Sequence, residues 1–183
     1  MVQKSDVICL TETWLTDEDK CVGLEIDDFV LYSNSGGHGK GTATYFRKHQ
    51  FHHCVDVIEE QFQLTKISSE NVAIISVYRS SQGDLEKLTT HLLNLIVPDK
   101  VNVICGDVNI CFKSDRSNKL IKSLEENGFK QFVNEATHIK GGLIDHAYVR
   151  SGLDSVEIDV SIYSPYYCAK DHDAVLISLD FEW

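Results

Sequence analysis

Short apolar runs separated by polar or glycine-bearing breaks dominate the chain, and most have the length of strands rather than helices. Residues 6–10 (Asp6-Val7-Ile8-Cys9-Leu10) and 101–105 are apolar enough for buried strands. Residues 29–32 form another run, while 42–46 and 156–160 alternate as half-buried or outer strands do. Residues 63–67 and 72–78 are expected to form a hairpin with Asn71 in its turn. An extended segment beginning at Phe132-Val133 and strands over 143–149 and 174–179 complete the set. Helical spacing appears in only two places. Residues 84–96 carry apolar side chains at 85, 88, 92, 93 and 96, with Asp84 as N-cap and Pro98 closing the segment. Residues 117–127 do so through Leu120, Ile121 and Leu124, ended by Asn127-Gly128.

Many strands with two interspersed helices predict an α/β sandwich, two sheets face to face with helices outside. At 183 residues, 43% hydrophobic and 25% charged, the chain is expected to be one globular domain over 1–183 and a monomer. No apolar run approaches the roughly 20 residues of a membrane span. The first six residues lack a signal peptide's basic-then-apolar pattern, so an intracellular location is expected. Cysteines at 9, 21, 54, 105, 111 and 168 include no C-x-x-C pair, which favours reduced structural thiols over a disulfide or zinc framework.

The candidate chemistry gathers at strand ends. Val103-Ile104-Cys105 runs into Gly106-Asp107-Val108-Asn109, delivering a carboxylate and an amide two residues apart and so on one face. Thr11-Glu12-Thr13, Leu143-Ile144-Asp145-His146 and Asp171-His172-Asp173 are further acidic or His-bearing strand ends. Together they read as a metal-dependent phosphodiesterase site. The glycines at 36, 37, 39 and 41 make a loop, not a phosphate-binding cradle, because Gly-Lys-Ser/Thr is lacking and a strand follows. His49, His52 and His53 have no acid at ligand spacing and are expected on the surface.

Six segments in order carry a resemblance that spans almost the whole chain: residues 6–15, 41–48, Val77-Tyr78-Arg79, Gly106-Asp107-Val108-Asn109, Leu143-Ile144-Asp145-His146 and residues 171–175. They resemble the endonuclease/exonuclease/phosphatase superfamily, the fold of DNase I and apurinic/apyrimidinic endonucleases, and within it the endonuclease domains of non-LTR retrotransposons and Helitron-type elements. The resemblance implies a four-layer α/β sandwich of two mainly antiparallel sheets flanked by helices. It implies Mg²⁺, or Mn²⁺ in its place, held by Glu12 with Asp171 nearby. Asp107 would activate the attacking water, Asn109 and His172 would stabilise the phosphate, Asp145 would orient His172, and Tyr78 would offer its hydroxyl. Arg79 could contact the nucleic-acid backbone, and Thr137 with His138 fits either a loop or a contact to the substrate strand.

The implied partners are DNA and, in a longer polyprotein, a reverse transcriptase or helicase domain; acting on DNA would place the chain in the nucleus. Two departures qualify this. The family opens with one more strand ending in an Asn, for which residues 1–5 offer no counterpart, so an N-terminally truncated domain is expected. Lys170 replaces the usual Ser before Asp-His. The net charge of −11 also opposes unaided DNA binding. The competing expectation is therefore a degenerate copy that serves as a binding module. A related phosphatase or sphingomyelinase activity is a third possibility.

Overall fold

The computed structural model describes residues 5–16, 23–36, 39–151, 156–163 and 171–181. Along them run β1 (Val7–Thr11), β2 (Phe29–Asn34), β3 (Thr42–Arg47), β4 (His52–Ile58), β5 (Phe62–Ser68), β6 (Val72–Arg79), α1 (Leu85–Asn94), β7 (Val101–Asp107), α2 (Lys119–Glu126), β8 (Lys130–Gln131), β9 (Asp145–Arg150), β10 (Val156–Tyr163) and β11 (Ala174–Phe181). Six of them form one mixed sheet, ordered β4-β5-β6-β7-β9-β8, in which only β6 and β7 run parallel. A three-stranded antiparallel sheet, β1-β3-β2, and the β10-β11 pair lie against one face of it. There β1 sits over β6 and β7, β3 over β5 and β6, and β11 over β9.

Alternation along the central strands explains the layering. Phe62 and Leu64 of β5, Ile75 and Val77 of β6, Ile104 of β7 and Tyr148 of β9 point one way. They pack on Leu88 and Leu92 of α1 and on Leu120, Ile121 and Leu124 of α2. The intervening residues Ile74, Val103, Cys105 and Val149 point the other way, onto Ile158, Ile177 and Leu179. Each helix closes as its sequence dictates. Asp84 accepts the N–H groups of Glu86 and Lys87, and Asn118 accepts that of Leu120. Both helices cover the six-stranded sheet. Outside the three-stranded sheet the described residues form no helix, and Leu15 and Ile26 pack there on Ile8, Phe29, Leu31, Ala43 and Tyr45.

Three features differ from the sequence reading. β4 was not foreseen, and His53 is not a free surface residue. Its ring stacks on Tyr32 at 3.9 Å, and its Nε2 meets Asp56 Oδ2 at 2.9 Å. His49 and His52 are exposed, as expected. β8 is a two-residue strand that ends just before Phe132. Finally, β1 and β11 each pair on one side only among the described residues, so the layer facing the six-stranded sheet consists of two hydrogen-bonded sheets. Cys9 and Cys105 meet across the layers beside Thr44 and Ser76, and both are free thiols. Cys21, Cys168 and Lys170 lie outside the described residues.

Candidate active site

The register of the six-stranded sheet builds the site. Tyr78 of β6 lies beside Asp107 of β7, and Asp107 lies opposite Asp145 of β9, so the three share one row. Gly106 makes this row possible. It sits at φ +132°, and a Cβ there would press into the Val77 carbonyl of the neighbouring strand. Immediately after, the chain folds back on Asp107, whose Oδ1 accepts the Asn109 N–H at 2.8 Å. Asn109 is left-handed (φ 51°), and its Nδ2 donates to the Arg79 carbonyl at 2.7 Å and to Asp107 Oδ2 at 3.3 Å. The Asn109 N–H and Nδ2 together brace the Asp107 carboxylate. Glu12 and Trp14 are also left-handed, at φ 52° and 58°. Non-glycine residues adopt that conformation at a cost, and it clusters at functional positions.

His172 leads into β11 and donates from Nδ1 to Asp145 Oδ2 at 2.9 Å, which leaves Nε2 as the outward nitrogen. That hydrogen bond, reinforced by the charges of Asp145, Asp107 and Glu12, raises its pKa to about 9 against the opposing effect of burial. Asp107 is 1% exposed. Burial first, then the neighbouring Asp145 and Glu12 charges, push it up to about 7, while the Asn109 N–H and the His172 charge oppose the rise. Tyr78 Oη donates to the Gly39 carbonyl at 2.8 Å. Burial, then Glu12 and Asp107, push its hydroxyl up to about 12, so it stays a donor at neutral pH. Glu12 is exposed just beyond β1, yet its charge reaches Tyr78, Asp107 and His172.

Ligand atoms of Asp107, Asp145 and His172 lie within 4.8 Å of one another. Three carboxylates, counting Glu12, carry more negative charge than His172 offsets. Such an oxygen-rich set fits a hard divalent cation. Asp171 is placed differently. It is exposed, its carboxylate is not part of that group, and its main-chain carbonyl accepts the Ile139 N–H at 2.9 Å.

Arg79 does not reach outward to nucleic acid. It is 5% exposed and donates to the carbonyls of Gly83, Val108 and Ser81 at 2.9, 3.0 and 3.2 Å. It pins the loop after β6 to the one after β7. Thr137 is buried and its Oγ1 accepts the N–H of Asp145, a brace that a Thr eight residues upstream does not announce in sequence. A surface cavity of about 640 Å³, bounded by Glu25, Asp27, Phe29, Tyr45 and Lys48, contains none of the site residues.

A strand-edge row of carboxylates with an Asp–His pair, set on facing sheets with helices outside, defines a DNase I-like α/β sandwich. The profile of the endonuclease/exonuclease/phosphatase family matches residues 1–167, and the chain belongs to that family. Among solved structures it is similar to an AP endonuclease from Archaeoglobus fulgidus (16% identity, TM-score 0.72, covering 100% of this chain and 91% of that one). It is also similar to the endonuclease domain of TRAS1, a telomere-specific non-LTR retrotransposon (12%, 0.68, 96% and 86%). A third likeness is to D. rerio TDP2 complexed with single-strand DNA product (12%, 0.63, 98% and 87%). No curated protein sequence matches the chain. No helix among the described residues is long and apolar enough to cross a membrane.

Proposed function

We propose that the chain is a Mg²⁺-dependent endonuclease that nicks DNA and leaves a 3′-hydroxyl and a 5′-phosphate. The observation that carries this reading is the grouping of Asp107, Asp145 and His172 at one sheet edge, with Tyr78 and Glu12 facing it. An acid with a pKa near 7 is matched to accepting a proton from water at neutral pH. Asp107 therefore orients and deprotonates the attacking water. His172, charged and fixed by Asp145, presents Nε2 to the phosphate as negative charge develops there. Tyr78 turns its hydroxyl from the Gly39 carbonyl to the phosphate, and Asn109, which also braces Asp107, joins His172 in stabilising it. Glu12, with Asp171 nearby, would hold Mg²⁺ (or Mn²⁺), an ion that supplies Lewis-acid stabilisation of the phosphoryl oxygens when bound.

DNA is favoured as substrate because the similar structures include an AP endonuclease, a retrotransposon endonuclease domain and a DNA complex. The TRAS1 likeness, with the sequence's own resemblance, supports a mobile-element origin beside a reverse transcriptase or helicase domain. Such a neighbour would supply the grip that a chain of net charge −11 lacks. The test is product analysis on labelled duplex DNA with Mg²⁺. Nicks that a DNA polymerase extends directly are expected, reduced about 10²–10⁴-fold by Asp107→Asn or His172→Gln. Products ending in 3′-phosphate, or identical cleavage by both variants, would contradict the proposal. DNA binding without any cleavage would favour the binding-module reading.

A further inference from the structure

Asp145 and His172 meet although their strands do not pair. Asp145 opens β9 in the six-stranded sheet, and His172 leads into β11 in the two-stranded one. Residues 137–139 touch both. Thr137 is fully buried, and its Oγ1 accepts the main-chain N–H groups of Ile144 at 3.3 Å and Asp145 at 3.1 Å. The backbone that carries the Asp145 carboxylate is thereby fixed. The Thr137 carbonyl in turn accepts the Asp173 N–H at 2.7 Å, and the Ile139 N–H donates to the Asp171 carbonyl at 2.9 Å. The residues on both sides of His172 are therefore held by this segment.

His138 completes the clamp. It forms an isolated β-bridge with His172, and the two rings meet edge to face at 4.8 Å and 87°. Its Nδ1 accepts the Lys140 N–H at 3.1 Å, which fixes the ring and leaves the proton on Nε2. Closing the turn needs none of this, because the Gly141 N–H already bonds the His138 carbonyl at 2.8 Å.

We propose that Thr137 and His138 are positioning residues that hold the Asp145–His172 pair in register across two unpaired sheets. Thr137 acts on the carboxylate and His138 on the imidazole. This rests on the proposed catalytic use of His172, but the pairing itself can be read without activity. Small displacements of a catalytic group carry large rate penalties, so the effect belongs in kcat rather than KM.

The experiment compares Thr137→Val, Thr137→Ser, His138→Ala and His138→Phe by nicking kinetics and by ¹⁵N NMR of the His172 ring. Val keeps the shape but removes the acceptor, Ser restores it, and Phe keeps a flat ring against His172. Thr137→Val and His138→Ala are expected to lower kcat roughly 10–100-fold with KM nearly unchanged. Both should lose the Nδ1-protonated signature of His172, whereas Ser and Phe retain it. Wild-type kcat and an unchanged ring signature in folded Val and Ala variants would overturn the proposal. Should Thr137→Val fail to fold, the two His138 variants decide. Should the wild-type chain not nick DNA at all, the functional reading fails and the ring signature alone decides this one.

Discussion

At the scale of single residues, the proposed mechanism requires Asp107 and His172 in opposite protonation states. Asp107 must be ionised and its raised pKa of about 7 makes the rate climb as pH rises toward that value. His172 must be charged, and the rate falls once pH passes about 9. A bell-shaped nicking profile is expected, with the alkaline limb lost in His172→Gln; a flat profile between pH 6 and 10 would contradict these roles. His146 faces the opposite way, into the helical layer, where Nε2 meets the Ile110 carbonyl at 2.9 Å. Burial lowers its pKa to about 4 from 6.5. The unfolded chain then binds the proton more readily, so stability is full above pH 6.5 and is lost as pH falls through 4. The loss is about 3 kcal/mol over that window. Urea melts at pH 7 and 4.5 should show this slope, and His146→Gln should flatten it. Glu12, Asp107 and Asp145 were legible because acids directly after apolar runs stand out. Arg79 was not, since nothing in Tyr78-Arg79-Ser80 says whether the guanidinium turns outward or back onto three carbonyls. Arg79→Met, which strands those carbonyls, should cost about 2–4 kcal/mol in a urea melt.

Among elements, β7 shows how local chain geometry serves the site. Its last residues are aimed by a single glycine, since only Gly106 tolerates φ +132° beside the Val77 carbonyl. Gly106→Ala should cost at least about 2 kcal/mol, read as a lower urea midpoint, because backbone strain and a backbone clash coincide. The helices were legible to within a few residues, since apolar spacing and the caps Asp84 and Asn118 act locally. β4 was not, because a bulge between His53 and Val55 breaks the two-residue alternation on which strand recognition depends. β8 has only two residues, too short for any period to appear.

For the whole molecule, motif order made the sandwich legible through resemblance, whereas strand order and the division of one layer into β1-β3-β2 and β10-β11 depend on distant pairings that no local pattern encodes. That division also separates the acids: Asp107 and Asp145 sit on one sheet, Glu12 follows another, and His172 precedes a third. On the proposed mechanism, catalysis would depend on the sheets staying packed, tying activity to global stability more tightly than a site on one element would. The most direct measurement is relaxation of supercoiled plasmid with Mg²⁺, with and without EDTA, by the wild-type chain, Asp107→Ala and His172→Ala. The account predicts Mg²⁺-dependent nicking by the wild-type chain alone. No nicking by the folded wild-type chain at high concentration and low salt, or equal nicking by all three, would contradict it.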